Sequence, residues 1–98
     1  MTLGFVVRPE AEGDILRAFR WYEDRETGLG RQFLEEVEAE FERIRERPLE
    51  ASLVYRGTRR VLVRRFPDSV FYAVNEVRIR VLAVSHHAQD PSTWKGRT

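Results

Sequence analysis

Apolar positions recur along the chain with two different periods. Over the first half they return every three to four residues, which is the spacing of one face of an α-helix. From Arg59 onward, β-branched and aromatic residues come instead in short continuous runs. The change of period predicts a helical first half and a β-rich second half.

The opening segment predicts a strand that leads directly into a helix. Leu3, Phe5 and Val7 alternate with other residues before Arg8-Pro9. Pro9 suits the first turn of a helix, because the N–H that it lacks would have no partner there. The helix is expected to reach about residue 25. Its apolar stripe consists of Ala11, Ile15, Ala18, Phe19 and Tyr22.

A second helix is predicted after the turn Gly28-Leu29-Gly30. It should end near Arg47, because Pro48 disfavours helical backbone at the residue before it. A short turn between two helices favours an antiparallel helical hairpin. The apolar face of the second helix consists of Phe33, Leu34, Val37, Phe41 and Ile44.

Three strands are predicted in residues 60–66, 70–74 and 77–84. Pro67-Asp68 and Asn75-Glu76 separate them, and connections this short join antiparallel neighbours. The prediction is a single α+β domain over residues 1–98 in the order β-α-α-β-β-β with a tail. The helical hairpin covers one face of a small, mainly antiparallel sheet.

Charge is divided unevenly between the two halves of the sequence. Residues 1–50 contain eight Arg and thirteen acidic residues, for a net charge of −5, and residues 51–98 have a net charge of +6. The basic half favours a polyanion or an acidic protein as partner. The alternative is that these charges only solvate the surface.

Strand alternation predicts where the basic side chains of the second half lie. Arg60, Arg64 and Phe66 share one side of their strand, and Arg78 and Arg80 share one side of the last strand. We expect the four arginines to lie together on the sheet face that the helices leave open.

Several classes of protein are excluded or disfavoured. The sequence has no cysteine, so disulfides, thiolate metal sites and cysteine nucleophiles are excluded. No apolar run approaches the roughly 18 residues of a membrane span, and we expect a cytoplasmic protein. His86 and His87 are adjacent on a strand and should point to opposite faces, so we expect neither a metal nor another cofactor.

The same segments resemble the RelE/ParE superfamily of toxins from bacterial type II toxin–antitoxin systems, with the ParE-like branch favoured. The resemblance extends over almost the whole chain and depends on the order and spacing of several strings. They are residues 9–15 (PEAEGDI), 31–37 (RQFLEEV), 59–67 (RRVLVRRFP), 70–72 (VFY) and 84–94 (VSHHAQDPSTW).

The resemblance implies a toxin that is neutralised by a cognate antitoxin protein in a hetero-oligomer, and a role in plasmid stabilisation. ParE-like members inhibit DNA gyrase by binding, whereas RelE-like members cut mRNA on the ribosome. Nuclease members usually have an Arg at the start of the third predicted strand, where this chain has Asp68-Ser69. They also often have a His-Tyr pair where this chain has His86-His87. We therefore expect gyrase inhibition without enzymatic activity.

Two alternatives remain open. The first is a metal-independent, ribosome-dependent mRNA endonuclease, for which the catalytic candidates are Arg60, Arg64 and His86. The second is a non-toxic family member that only binds antitoxin. The candidate residues for binding the target or the antitoxin are Arg59, Arg60, Arg64, Arg65, Arg78, Arg80, His87 and Trp21.

Three aromatic residues have structural interpretations. Tyr72 lies among apolar neighbours and is interpreted as a core residue whose hydroxyl is hydrogen-bonded. Trp94 is expected to attach the tail to the domain, as the resemblance also implies. Trp21 lies beside the main apolar stripe of its helix, and either packs under a loop or forms part of a protein interface.

Overall fold

A computed structural model describes residues 3–98, so Met1 and Thr2 of the expected single domain lie outside the described residues. The sequence forms a five-stranded sheet and three helices within that range. None of these helices combines the length and the apolar character needed to cross a bilayer. The elements are β1 (Gly4–Val7), α1 (Pro9–Arg25), α2 (Leu29–Glu46), β2 (Ser52–Tyr55), β3 (Thr58–Leu62), β4 (Asp68–Val74), β5 (Arg78–His86) and α3 (Ser92–Lys95).

The strands lie in the order β1-β5-β4-β3-β2. Strands β2 to β5 form an antiparallel meander, and β1 pairs in parallel with the first half of β5. The predicted three-strand meander is therefore confirmed as β3, β4 and β5. The pairing of β4 with β5 shifts register between Phe71 and Tyr72, where Phe71 faces Ala83 and Tyr72 faces Val81.

The helical hairpin packs on one face of the sheet, as the sequence predicts. Ala11 and Tyr22 of α1, and Phe33, Val37 and Ile44 of α2, form one buried cluster with the sheet side chains. We call this side the helix face and the opposite side the open face. The sheet residues in the cluster are Val70, Tyr72, Ile79, Val81 and Val84, together with Val63 just beyond β3.

The turn between the two helices depends on close backbone packing. Gly28 has φ +91°, a conformation that glycine adopts without steric penalty, and it precedes the first residue of α2. A Cβ on Gly30 would lie 2.7 Å from the carbonyl oxygen of Phe19. The Glu23 carboxylate of α1 accepts the backbone N–H groups of Gly28 and Gly30. Glu23 thus satisfies donors that the start of α2 would otherwise leave unpaired.

Two elements are additions to the predicted order. The predicted order β-α-α-β-β-β lacks the edge strand β2 and the short helix α3. Strand β2 pairs with β3 through a tight turn in which Arg56 and Gly57 both have positive φ, at 43° and 75°. Helix α3 lies in the segment that the sequence describes only as a tail.

The expected position of Phe66 is wrong. Strand β3 ends at Leu62, four residues earlier than predicted, and the chain then turns through Arg65 at φ +69°. Phe66 consequently reaches the helix face, where its ring contacts Tyr22 and Phe33 at centroid distances of 4.9 and 5.3 Å. The alternation that places Arg60 and Phe66 on one side does not extend past Leu62.

Candidate functional site

A polar cluster on the open face joins β3, β4 and the end of β5. Arg60 Nε donates to Ser69 Oγ at 2.9 Å, and Ser69 Oγ lies 3.1 Å from His87 Nε2. Arg60 Nη2 lies 3.5 Å from the same ring nitrogen. Arg60 and His87 are exposed, whereas Ser69 is fully buried. The buried Ser69 hydroxyl thus contacts both the guanidinium and the imidazole, which are accessible to a partner.

The arginines of β5 share the open face but lie apart from Arg60. Arg78 and Arg80 alternate with the core residues Ile79 and Val81, which places them on the opposite side. Arg80 pairs with Ala73, whereas Arg60, on the other side of β4, pairs with Phe71, two positions earlier in that strand. The basic open face is thus made of two separated groups.

The other arginines of the predicted surface lie elsewhere, which corrects the expectation for Arg64. Arg64 is exposed in the turn after β3 and therefore lies outside the sheet face. Arg65 donates to Gln32 and pairs with Glu36 on α2. Arg59 points to the helix side and donates to the carbonyls of Leu49 and Ala51 at 3.0 and 2.6 Å.

The two histidines have different hydrogen-bond partners. His86 pairs with Asp68 in the β4–β5 ladder and lines a groove on the helix face. Its Nδ1 accepts the backbone N–H of Ala88 at 2.9 Å. The structure therefore brings His87 to Arg60, and it does not bring Arg60, Arg64 and His86 together.

Asp68 is a buried carboxylate at the start of β4. Its Oδ1 accepts a short hydrogen bond from the hydroxyl of Tyr22, and the residue is 2% exposed. Burial raises the pKa of Asp68, while the Tyr22 hydrogen bond and the nearby His86 and His87 act in the opposite direction. Burial and this carboxylate together raise the pKa of Tyr22. Asp68 therefore anchors α1 to the sheet.

The tail covers the middle of the open face. The Trp94 ring stacks on Phe71 with centroids 4.2 Å apart and an interplanar angle of 15°, and it contacts Tyr55 edge-on. This agrees with the expectation that Trp94 attaches the tail. A cavity of about 290 Å³ remains between the tail and the sheet. Its lining includes Arg60, Ser69, Phe71, His87, Trp94 and Lys95.

A groove on the helix face runs between α1 and the end of β5. It has a volume of about 400 Å³, and we call it the Trp21 groove after the residue at its rim, which is 47% exposed. Trp21 contacts Tyr22 edge-on, and Arg25 lies over its ring at 3.3 Å. The lining consists of Asp14, Arg17, Ala18, Trp21, Tyr22, Asp68, Val84, His86, Ala88 and Gln89.

Several residues at these sites were not identified from the sequence. The sequence indicates Asp68 and Ser69 only as the place where nuclease relatives have an arginine. Asp14 accepts hydrogen bonds from Arg97 and from the backbone of Val84, partners that lie 83 and 70 residues away in sequence. A local pattern contains no signal for contacts of this range.

The interpretation of Tyr72 as a core residue agrees with the structure. Tyr72 is fully buried, and its hydroxyl donates to the carbonyl of Pro48 at 2.8 Å.

Comparison with known proteins agrees with this architecture. The family model described as the ParE toxin of the type II toxin-antitoxin system parDE matches residues 5–91. A solved structure, the chromosomal ParDE TA system from P. aeruginosa, is similar with a TM-score of 0.75. The two chains are 13% identical, and the match covers 87% of this chain and 96% of that chain, so the likeness is one of fold. A search of curated protein sequences found no match.

Proposed function

We propose that this chain, which belongs to the ParE toxin family of type II toxin–antitoxin systems, is a cytoplasmic toxin that inhibits DNA gyrase by binding and is neutralised by a cognate antitoxin. The toxin itself makes or breaks no bond in this proposal. Its action depends on surfaces that recognise other proteins.

The separation of Arg60, Arg64 and His86 is the observation that supports binding over catalysis. RNA cleavage through the ribose 2′-OH needs a base, an acid and a cation within hydrogen-bond reach of one another. Arg64 lies in the turn after β3. His86 lines both the groove on the helix face and the cavity on the open face that Arg60 lines, but its ring makes no hydrogen bond to Arg60 within residues 3–98 and instead accepts the backbone N–H of Ala88. Three groups distributed in this way do not form such a set.

Binding also agrees with the way the open face is built. Trp94 stacks on Phe71 of β4 in the middle of this face. Arg60 on β3 and Arg78 on β5 are exposed on either side of β4, and Arg80 is half-buried. Aromatic and arginine side chains are the residues most enriched at protein interfaces. Arg60, Arg78 and Arg80 are the open-face residues that we assign to target binding.

A second candidate function is supported by the Arg60–Ser69–His87 cluster. His87 Nε2 lies within 3.5 Å of the Arg60 guanidinium, so an imidazole and a cation meet on the open face. That pair can remove a proton and stabilise a phosphate charge. An mRNA endonuclease built on this chain would therefore use Arg60 and His87, the imidazole that the guanidinium contacts.

The experiment compares two reactions in vitro with the purified chain. We expect inhibition of supercoiling by gyrase, and no cleavage of mRNA on translating ribosomes. Arg60→Ala is expected to weaken gyrase inhibition, and Val77→Ala, at an exposed position in the β4–β5 turn, is the matched control. Ribosome-dependent cleavage that is lost in His87→Ala and retained in His86→Ala would establish the nuclease instead.

The antitoxin is tested in growing cells. We expect expression of the chain alone to stop division and produce filaments with damaged DNA. Co-expression of the small protein encoded in the adjacent reading frame should restore growth. Normal growth with the folded chain at a high level would leave the non-toxic family member as the correct description.

A further inference from the structure

The Trp21 groove exposes an aromatic side chain beside an apolar floor. Trp21 is 47% exposed, although Ala18 and Val84 lie next to it in the groove. Tryptophan is costly to leave in water and is among the residues that contribute most to protein interfaces. The groove therefore has the character of a site that holds an apolar side chain.

The hydrogen-bond acceptors in the groove are largely engaged. Both carboxylate oxygens of Asp14 accept two hydrogen bonds. Oδ1 accepts from Arg17 and Arg97, and Oδ2 accepts from Arg97 and from the backbone N–H of Val84. Gln89 Oε1 accepts from the His86 backbone and from the Ser85 hydroxyl. Asp68 is the exception, because of its two carboxylate oxygens only Oδ1 has a hydrogen-bond partner within residues 3–98. The other polar groups that remain for a ligand are donors.

Three donors border the groove. His86 accepts at Nδ1, so its neutral imidazole has the proton on Nε2. The Gln89 amide has its NH₂ group free of any bond within residues 3–98, because its bonds in that range are made through Oε1. Arg17 is 68% exposed at its side chain and uses Nη2 on Asp14. These donors select an acceptor such as a carboxylate.

Two cations flank the indole along α1. Arg17, Trp21 and Arg25 are spaced by four residues and so follow one another along one face of the helix. Arg25 already covers the ring at 3.3 Å. A ligand reaching the free part of the indole would therefore pass between two guanidinium groups.

We propose that the Trp21 groove binds an acidic peptide segment of the antitoxin, with one bulky apolar side chain against Trp21 and carboxylates on Arg17, His86 and Gln89. This inference rests on the proposed function for the identity of the partner. It adds the place where the partner binds and the side chains that it presents.

A nucleic acid fits the groove less well. Asp14 and Asp68 form part of the lining, and Asp68 is reached only by Tyr22 among the side-chain donors within residues 3–98. A phosphate backbone would place one negative charge per nucleotide close to the Asp68 carboxylate, which has no cationic partner within residues 3–98. A peptide can instead place its apolar side chain over the floor and its carboxylates at the rim.

The test is a calorimetric titration of the purified chain with the antitoxin encoded in the adjacent reading frame. Trp21→Ala should weaken binding about 30-fold, as expected for removal of a central interface aromatic. Ala88→Glu, which adds a negative charge at an exposed position of the groove wall, should weaken it about tenfold. The fold of each variant is checked by urea denaturation.

Two controls separate the groove from general surface effects. Leu16→Ala removes another exposed apolar side chain of α1, 48% exposed and outside the groove, and Val77→Glu adds the same charge in the distant β4–β5 turn. Both should bind antitoxin within twofold of the unmodified chain.

Three outcomes would contradict the proposal. If Trp21→Ala and Ala88→Glu bind antitoxin as tightly as the unmodified chain, the groove assignment alone is overturned. Absence of antitoxin binding by the unmodified chain would overturn the proposed partner as well. Binding of a short single-stranded RNA that Trp21→Ala abolishes would show that the groove serves a nucleic acid.

Discussion

Arg97 Nη1 lies 2.5 Å from Asp14 Oδ2, and the same nitrogen donates to the carbonyl of Leu82 at 3.2 Å. Asp14 Oδ2 also accepts the backbone N–H of Val84 at 3.0 Å. One carboxylate therefore holds α1, β5 and the C-terminal segment together. The hydrogen bond to Asp14 raises the pKa of Arg97 and so favours the charged guanidinium.

Replacing Asp14 should destabilise the fold strongly. Asp14→Ala leaves the Val84 N–H without its acceptor and Arg97 without its counter-charge, which should lower the free energy of unfolding by about 3 kcal/mol. Arg17→Ala is the control, because Arg17 binds the same carboxylate from a side chain that is 68% exposed. That variant should lose less than about 1 kcal/mol. Urea denaturation measures both, and equal losses would contradict the central role of Arg97.

Two glycines in helices should respond oppositely to alanine. Gly30→Ala places a Cβ 2.7 Å from the Phe19 carbonyl oxygen, so the helices must separate, and we expect a loss of about 2 kcal/mol. Gly13→Ala in α1 meets only the end of the flexible Arg17 side chain at 3.2 Å. It should gain up to about 1 kcal/mol from higher helix propensity. Thermal denaturation gives the sign of each change, and a stabilised Gly30→Ala would refute the close packing.

Removing the Trp94 ring should release the tail from the open face. Trp94→Ala abolishes the stack on Phe71 and the edge contact with Tyr55, which should cost about 2–3 kcal/mol. Amide hydrogen exchange should rise in α3, while the core strands and the segment held by Arg97 stay protected. Leu16→Ala, which removes an exposed apolar side chain of α1 outside the Trp21 groove, is the control and should leave exchange in the tail unchanged.

Asp68 should make stability fall as pH rises through the weakly acidic range. Its pKa is raised above the unfolded value of 3.8, so between these two values the folded state binds more protons than the unfolded state. The free energy of unfolding must therefore decrease as pH rises across that window. Asp68→Asn lacks this titration, and the difference between the two unfolding curves isolates it.

Asp90 provides a control of opposite sign. The backbone N–H of Ser92 and its side chain lower the pKa of Asp90, which is fully exposed. Its contribution is present above pH 3.8 and disappears as pH falls through the lowered value. Asp90→Asn should therefore give a small difference curve with the reverse slope, and parallel slopes for the two variants would contradict the assignment to Asp68.

Most of the fold could be predicted because its signals are local. The stripe from Ala11 to Tyr22 and the breaker Pro48 predict both helices with nearly correct ends. The sequence does not predict strand β2, because its turn places Arg56 at positive φ, where glycine or asparagine is the usual signal.

The candidate site was predictable only in part. Strand alternation correctly places Arg60 on the open face, because that position depends on extended backbone alone. His87 lies one residue beyond β5 in a turn, where strand alternation no longer applies. It failed for Arg64, because the strand ends at Leu62 and the chain then turns. The Asp14–Arg97 contact depends on the assembled tertiary structure, which no short-range pattern encodes.

The Asp14 carboxylate has a consequence for self-association. Strand β1 covers only the first half of β5, and beyond it Asp14 and Arg97 occupy the N–H of Val84 and the carbonyl of Leu82. Those groups cannot template an incoming chain, so intermolecular β-pairing at that border is blocked. The border formed by Ser52–Tyr55, with Leu53 60% exposed, has no comparable protection within residues 3–98. Fibril or domain-swapped growth at high concentration should begin at β2.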